Sequence, residues 1–427
     1  MSILPVRFLI VSVCLFGYSL NASSQASPRP LSASEVMALQ AGGALPENLA
    51  YDINSRGLSF RLDQAYVAEL RKAGANNGVI AVLQNAKVLV SASNGQSEAD
   101  LLHRLAGAAN FIKAEKYDEA ATQLNAAISA CFANAETGFV MGELLRRKKA
   151  WQQAADVYEE VLRQDSTFPE VHTKFSYILY KFDDGEGALH EAKTALAQNP
   201  QDSEAHKNAG LALSILGKFD ASKSEYMQAL AIKPDYAVHY DLGLLLYNAR
   251  QNEEAIREYT KAIVLDPNNA DYHDNLGVAY DTKGEMASAI REYREAKRLN
   301  PKDPLIRQNF ASALMSVNPP AGIAELKELE KQFPEFEVCH VCLGKGLAWA
   351  EDIKGAKGEF RKATELDPAD PEPHSGLGEL EETQKNYDAA LAEFRIAEKL
   401  DASSAKTHRD VARILLAKKD LPRRWPS

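Results

Sequence analysis

The sequence predicts an all-α solenoid, and the main evidence is a period of 33 or 34 residues marked by proline. The prolines that carry this period are Pro200, Pro234, Pro267, Pro301, Pro334 and Pro368. Proline has a fixed φ and no backbone N–H, and it pushes the preceding residue out of the helical region, so each of these positions ends a helix. A repeat of this length holds two helices and two turns, which predicts stacked helical hairpins rather than one compact domain.

Side chains of fixed size recur at the same place in each period. With the proline counted as position thirty-two, position eight is glycine at Gly210, Gly243, Gly277, Gly344 and Gly378. Position twenty is alanine at Ala255, Ala289, Ala356 and Ala390. Position twenty-four is aromatic at Tyr226, Tyr259, Tyr293, Phe360 and Phe394. The small residues let two helices approach closely, and the aromatic residues fill the space around them.

This pattern resembles the tetratricopeptide repeat family, which combines Leu-Gly in a first helix, two alanines around an aromatic residue in a second helix, and proline. The resemblance implies a right-handed superhelix whose first helices line a concave groove. About nine repeats fit within residues 96–404, starting near residues 101, 135, 169, 203, 236, 270, 304, 337 and 371. In the seventh, Phe310-Ala311 replaces Leu-Gly and Asn318-Pro319-Pro320 interrupts the turn, so we expect a local distortion.

The two ends of the chain differ from the repeats. Residues 405–420 predict a capping helix that covers the last repeat with Val411, Ile414 and Leu415, and residues 421–427 predict a disordered tail. Residues 1–26 are typical of a secretory signal peptide, because Arg7 precedes a short apolar run and small residues follow it. The protein is therefore expected to be secreted or periplasmic. An uncleaved membrane anchor stays open as the alternative.

Residues 27–95 predict a small helical module followed by a polar linker at Ser91 to Gln96. One helix follows the capping sequence Leu31-Ser32-Ala33-Ser34-Glu35 and ends at Gly42-Gly43; the others span Leu62 to Ala73 and Asn77 to Lys87. The segment resembles an uncharacterised module found before repeats in secreted bacterial proteins. That resemblance implies no activity, and the role of the module stays open.

Composition and charge argue against two kinds of partner. The chain of 427 residues has a formal net charge of -10 and a pI near 5.5. A surface of this sign argues against the phosphate backbone of nucleic acids as the main partner, and equally against an anionic membrane.

The cysteine and histidine residues could suggest a metal or redox site, but their positions in the repeat favour a packing role. Removal of the signal segment leaves Cys131, Cys339 and Cys342. The last two lie inside a first helix, where we expect them to pack as small apolar side chains, with a reversible local disulfide as the alternative. Position four is histidine at His172, His206, His239, His273, His340, His374 and His408. Successive repeats are too far apart to share a metal, so we expect these rings to pack between helices and predict no metal and no cofactor.

A binding site is expected on the first helices. Position six forms a row of three amides and a carboxylate, Asn208, Asp241, Asn275 and Asn309, which could hold the backbone of an extended ligand. Asparagine is also the residue that the family most often has there, so a purely structural role stays open. Neighbouring groove positions add aromatic and charged side chains: Tyr177, Tyr180, Lys207, Leu211, Tyr240, Leu244, Tyr247 and Asp274. Together these residues favour a ligand with apolar and basic side chains.

The predicted function is a non-catalytic scaffold that binds a segment of a partner protein in this groove. No nucleophile elbow, phosphate-binding loop or His-Glu-x-x-His motif is present in the sequence. Two alternatives stay open. The tyrosines could stack on sugar rings, as in an accessory protein for envelope polysaccharide assembly, or the N-terminal module could hold a cryptic enzyme.

Overall fold

The computed structural model describes residues 29–89, 96–130 and 134–418, with the backbone alone for residues 96–98. These residues form 23 α-helices, and their only β-structure is a few isolated bridges, which confirms the predicted all-α class. The predicted signal peptide, most of the linker, Cys131 and the C-terminal tail lie outside the described residues. None of the helices described here is both long and apolar enough to span a membrane.

The helices fall into three groups along the chain. The N-terminal module contains α1 (Ala33–Ala41), α2 (Pro46–Arg56), α3 (Gln64–Lys72) and α4 (Asn77–Asn85). Nine helical hairpins follow as α5 (Gln96–Lys113), α6 (Tyr117–Ser129), α7 (Ala135–Arg147), α8 (Trp151–Gln164), α9 (Val171–Lys181), α10 (Gly185–Gln198), α11 (Ser203–Ile215), α12 (Phe219–Ile232), α13 (Tyr236–Asn248), α14 (Asn252–Leu265), α15 (Ala270–Thr282), α16 (Met286–Leu299), α17 (Pro304–Val317), α18 (Pro319–Gln332), α19 (Glu337–Trp349), α20 (Ile353–Leu366), α21 (Pro371–Thr383) and α22 (Tyr387–Leu400). The single helix α23 (Ala405–Ala417) ends the array. The chain divides into an N-terminal unit, residues 1–171, and a C-terminal unit, residues 172–427.

The N-terminal unit contains one helix that the sequence pattern did not predict. Helix α2 starts with Pro46 at its first turn and ends at Gly57, whose φ of 74° suits glycine. Its buried apolar side chains are only Leu49 and Ile53, so it shows little helical periodicity. Parallel bridges also join Leu31 to Leu58, and Leu58 to Val88, tying the segments between the helices together.

The module packs directly on the first hairpins of the N-terminal unit. Helix α1 contacts α5 and α7. The ring of Phe139 in α7 lies fully buried against Gly42, where any side chain would clash with it. Polar contacts surround this point: Ser34 Oγ donates to Glu136 at 2.9 Å, and Asn48 Nδ2 donates to Glu170 at 2.6 Å. The module therefore packs against α5 and α7 instead of standing apart from the hairpins.

The hairpins of the C-terminal unit follow the predicted size pattern. A Cβ atom on Gly243 would lie 2.6 Å from the ring of Tyr259, and one on Gly277 would lie 2.7 Å from Tyr293. Such distances are too short for a real contact, so glycine is needed for this close approach. The alanines at positions twenty and twenty-seven, such as Ala255 and Ala262, have no exposed surface. Burial of each large apolar side chain contributes about 1.5 to 3 kcal/mol.

Most first helices begin at a polar cap a residue or two after the repeat proline; α19, which begins after the uncapped residue Phe336, is an exception. The side chains of Asp202, Asp235 and Asp303 accept hydrogen bonds from backbone N–H groups in the first turns of α11, α13 and α17. Such a cap satisfies donors that have no partner within the helix and is worth about 1 kcal/mol. The proline therefore ends one helix and the acidic residue starts the next.

The irregular seventh hairpin keeps both helices and shortens its turn. Asn318 alone separates α17 from α18, and its side chain caps α18 by accepting from the N–H of Ala321. The predicted capping helix is also present: Ile414 is fully buried and packs with Val411 against Phe394 of the last hairpin. The Asn318-Pro319-Pro320 interruption therefore changes the turn and leaves both helices of the hairpin intact.

Candidate functional site

The predicted site residues lie on the first helices α9, α11, α13, α15 and α17 of the C-terminal unit. Most of them are half-buried, and several tyrosines pack against one apolar cluster centred on Tyr226, Leu242 and Tyr259. We define the tyrosine–aspartate surface as Tyr177, Tyr180, Lys181, Lys207, Tyr240, Asp241, Leu244, Tyr247, Asp271, Asp274, Asn275 and Asp281.

One end of the tyrosine–aspartate surface is aromatic and basic. The rings of Tyr177 and Tyr180 lie 6.0 Å apart. Lys181 Nζ lies 5.1 Å from the centre of the first ring and 5.0 Å from that of the second, while Lys207 Nζ lies 5.9 Å from Tyr177. Ammonium groups at these distances are attracted by the faces of the rings. Both lysines are therefore held close to the aromatic pair.

The middle of the surface is a packed tyrosine cluster. The ring of Tyr240 lies 4.8 Å from that of Tyr272 and 5.9 Å from that of Tyr259. Burial, together with the nearby aspartates, raises the pKa of Tyr240 to about 12, so its hydroxyl stays protonated. Tyr247 Oη lies 3.0 Å from the hydroxyl of Thr282 on α15. The cluster presents apolar ring edges beside fixed hydroxyl groups.

The other end of the surface is acidic. Burial raises the pKa of Asp241 to about 6, with Lys207 opposing the shift. Burial likewise raises the pKa of Asp274 to about 6, although Asn309 donates to its carboxylate at 3.1 and 3.2 Å. Burial also raises the pKa of Asp281. Near neutral pH these groups form a concentrated negative patch.

The side-chain amides of the asparagine row form hydrogen bonds within the protein. Each amide donates to the preceding first helix, 35 residues earlier: Asn208 to the carbonyl of Thr173 at 2.8 Å, Asn275 to Tyr240 Oη at 3.1 Å, and Asn309 to Asp274. Asn208 has no exposed surface, and Leu211 is 8% exposed. A backbone grip by Asn208 therefore disagrees with this geometry, and we leave Asn208, Leu211 and the linking residue Asn309 out of the proposed site.

Six of the seven histidines at position four pack between helices, each beside a glutamate partner; His408, on the capping helix, is exposed and pairs with Glu398. The six place Nδ1 2.5 to 2.9 Å from a glutamate oxygen 19 residues later. These pairs are His172–Glu191, His206–Glu225, His239–Glu258, His273–Glu292, His340–Glu359 and His374–Glu393. Nε2 of His273 and of His340 also lies 3.2 and 2.9 Å from the carbonyl of the preceding repeat proline. The constant separation of 19 residues was a signal available in the sequence.

The pairs are expected to make stability depend on pH. The hydrogen bonds to Glu292 and Glu359 raise the pKa of His273 and His340. A raised histidine pKa gives stability that is complete below the unfolded value of about 6.5 and is lost as pH rises through the folded value. We expect the double substitution Glu292→Gln and Glu359→Gln to cost about 1 kcal/mol per pair at pH 6 and less at pH 9.

Urea unfolding at both pH values measures this effect. The exposed residues Glu335 and Glu365 provide a charge-matched control, because Glu335→Gln with Glu365→Gln removes the same charge without breaking a pair. An equal loss for both double variants, or a loss independent of pH, would contradict the assigned role of the pairs.

The cysteines of α19 are free thiols suited to packing. Cys339 is fully buried, its Sγ lies 3.4 Å from the carbonyl of Leu326, and burial raises its pKa to about 12. Burial also raises the pKa of Cys342. Since the thiolate is the reactive form, neither environment activates its cysteine as a nucleophile.

One group of ligand atoms in the described residues is close enough for a metal ion: Glu330, His340 and Glu359. Its members already have partners. Lys362 Nζ lies 2.6 Å from Glu330, and both ring nitrogens of His340 are engaged by Glu359 and Pro334. A metal would have to displace the lysine and break the histidine pair, so the geometry favours the ion-pair role.

The helical hairpins and their shared first-helix surface define a helical repeat protein. Residues 203–236, 240–304 and 343–405 match sequence profiles described as tetratricopeptide repeat, so the chain contains tetratricopeptide repeats, as its sequence pattern indicated.

Related proteins match parts of this chain. BBSome complex member BBS4 of Xenopus tropicalis is 28% identical over 195 residues, which is 41% of this chain and only 38% of the length of that relative. A DnaJ protein P58IPK homolog of Arabidopsis thaliana is 25% identical over 347 residues, 70% of this chain and 68% of the relative. A solved tetratricopeptide repeat protein of Parabacteroides merdae superimposes with a TM-score of 0.49 at 16% identity, covering 60% of this chain and 98% of that one.

Proposed function

We propose that this protein is a non-catalytic scaffold that binds an extended segment of a partner protein on the tyrosine–aspartate surface. The observation that carries the proposal is the run of half-exposed tyrosines and charged side chains over four successive first helices. Such a surface combines large, rigid apolar contacts with polar groups, which is the usual composition of protein interfaces. A relative named as a complex member supports a role within a protein complex.

Stacking on sugars, the first alternative, is less well supported by the geometry. A sugar ring needs a free aromatic face, but lysine ammonium groups lie over Tyr177 and Tyr180. The ring of Tyr240 packs against Tyr272 and Tyr259. The edges and hydroxyl groups that remain suit side chains and backbone of a peptide better than a pyranose face.

Catalysis in the N-terminal module, the second alternative, also finds little support. A cavity of about 570 Å³ lies there, lined by Arg61, Leu62, Asp63, Gln64, Val67, Leu83, Gln84, Ala86 and Val88. The lining residues include one carboxylate and no histidine, cysteine or serine. Asp63 is already used to cap α3, since it accepts from the N–H of Tyr66 at 2.7 Å. General acid and base catalysis needs groups that converge on a substrate, which this lining does not supply.

Selection from a displayed library of random peptides, in parallel with a glycan array, tests the proposal on the complete protein. We expect peptides to be enriched and the glycans to give no signal. Leu244→Arg should abolish peptide binding, because it places a charge in the middle of the apolar part of the surface. Val264→Arg is the control, since Val264 lies 76% exposed on the second helix α14. Peptide binding that survives Leu244→Arg, or glycan binding that is lost with it, would contradict the proposal.

The setting proposed for this scaffold is outside the cytoplasm. The support is the signal-like segment at residues 1–26, which precedes the described part of the chain. We expect the mature protein, isolated from the cells that naturally make it, to begin just after Ala26. Mass spectrometry of the intact protein gives the answer. A chain that keeps its first residues and sediments with membranes would instead support the uncleaved anchor.

A further inference from the structure

The tyrosine–aspartate surface changes charge from one end to the other. The cations Lys181 and Lys207 lie at the aromatic pair on α9 and α11. The carboxylates of Asp271, Asp274 and Asp281 lie on α15, with Asp241 beside them on α13. A ligand that crosses all four first helices therefore meets a positive end, a tyrosine-rich middle and a negative end.

The carboxylates of the negative end form no ion pair within the described part of the chain, although Lys207 and Lys181 act on Asp241 from beyond ion-pair distance. Among the described residues, no lysine, arginine or histidine lies within ion-pair distance of the carboxylates of Asp241, Asp271, Asp274 or Asp281. Mutual repulsion and burial both disfavour this arrangement, which agrees with the raised pKa of Asp274. Acidic residues elsewhere in the unit, such as Glu254 and Glu325, do have lysine partners. The carboxylates of the patch are thus without an ion-pair partner among the described residues, and a positive group of a ligand could supply one.

A metal ion fits this patch poorly. The only described ligand atoms that converge as a metal would require belong to Glu330, His340 and Glu359, which lie elsewhere in the array. The four carboxylates are therefore too spread out for one coordination shell. A long, flexible lysine or arginine side chain can contact carboxylates that are spread in this way, because its charge is held on a stem of several bonds.

Resting on the proposed function, we infer that the surface selects a segment with a basic side chain at one end and apolar side chains next to it. The basic group binds at Asp241 and Asp274, and the apolar groups cover Tyr240, Leu244 and Tyr247. An acidic side chain at the far end would meet Lys181 and Lys207. Three steps between first helices, each about 10 Å, span about 30 Å, which corresponds to about nine residues of extended chain.

The sequences of the selected library peptides test this inference. We expect wild-type protein to enrich lysine or arginine a few residues from a pair of large apolar side chains. Asp241→Asn with Asp274→Asn should weaken the binding of such a peptide about fivefold to tenfold, as loss of a partly buried ion pair would, and should abolish the basic preference while keeping the apolar one. The charge-matched control, Glu335→Gln with Glu365→Gln, should leave both preferences unchanged.

The outcomes separate this inference from the proposed function. Peptides that bind wild type and the aspartate variant equally, or that show no basic preference, would overturn the inference while leaving the scaffold intact. If a glutamine in place of the basic residue of the peptide weakens wild type and aspartate variant to the same extent, the inference is likewise wrong. Failure of the wild-type protein to select any peptide would overturn both.

Discussion

Replacing Phe139 by alanine is expected to lower the free energy of unfolding of the N-terminal unit by about 3 to 5 kcal/mol. The ring is fully buried, with its centre 5.4 Å from that of Phe168 and 6.2 Å from that of Tyr158. It also fills the space left by Gly42, which joins the module to α7. Alanine would leave a cavity where Phe139 of α7 contacts both Gly42 of the module and Tyr158 of α8.

Hydrogen exchange measured by mass spectrometry at increasing urea gives this free energy for each part of the chain. Phe139→Leu keeps most of the apolar volume and should cost about 1.5 kcal/mol or less. Phe182→Ala, in the C-terminal unit, removes a ring that is 42% exposed and should change the stability of the N-terminal unit by about 0.5 kcal/mol or less. A loss for Phe139→Ala no larger than that for Phe182→Ala would show that the ring does not hold the module in place.

Replacing Tyr259 by alanine is expected to lower the stability of the C-terminal unit by a similar amount, about 3 to 5 kcal/mol. The side chain is 1% exposed and packs on Gly243 in the same hairpin. It also supports Tyr240, whose ring lies 5.9 Å away on the tyrosine–aspartate surface. The substitution should therefore weaken peptide binding as well as folding.

The chain itself provides the conservative control. Phe360 and Phe394 occupy the same position in the last two hairpins, so Tyr259→Phe should cost about 1.5 kcal/mol or less. Tyr236→Ala, which removes a ring that is 46% exposed, should also cost no more than about 1.5 kcal/mol, the scale of one aromatic pair. Urea unfolding compares the three variants. If Tyr259→Ala were no worse than Tyr236→Ala, the hairpin core would have to lie elsewhere.

The repeat architecture could be predicted from sequence because its physics is periodic. Gly243 and Tyr259 are 16 residues apart, and the same spacing separates Gly277 from Tyr293. The same packing contact therefore recurs at a fixed spacing in the sequence. Helix α2 was missed because only Leu49 and Ile53 mark its buried face. The packing of the module on α7 was not predictable either, because the contact between Gly42 and Phe139 occurs once and is not part of the repeat pattern.

The candidate site was predicted in part. The half-exposed positions of Tyr177, Tyr240 and Tyr247 follow from their place in the repeat, and the structure puts them on the first helices as expected. The use of each asparagine depends on what lies 35 residues earlier, a side chain or carbonyl that differs from repeat to repeat. Position in the repeat alone could not distinguish an asparagine that is buried and hydrogen-bonded within the protein, such as Asn208, from one that is accessible to a ligand.

Photo-crosslinking tests the central claim most directly. A selected peptide that carries a photoreactive group in its apolar part is irradiated with the complete protein, and the attached residues are found by mass spectrometry. We predict crosslinks on the first helices α11, α13 and α15, around Leu244. Crosslinks concentrated on the second helices α12, α14 and α16, or in the N-terminal module, would contradict the claim that the tyrosine–aspartate surface binds the partner.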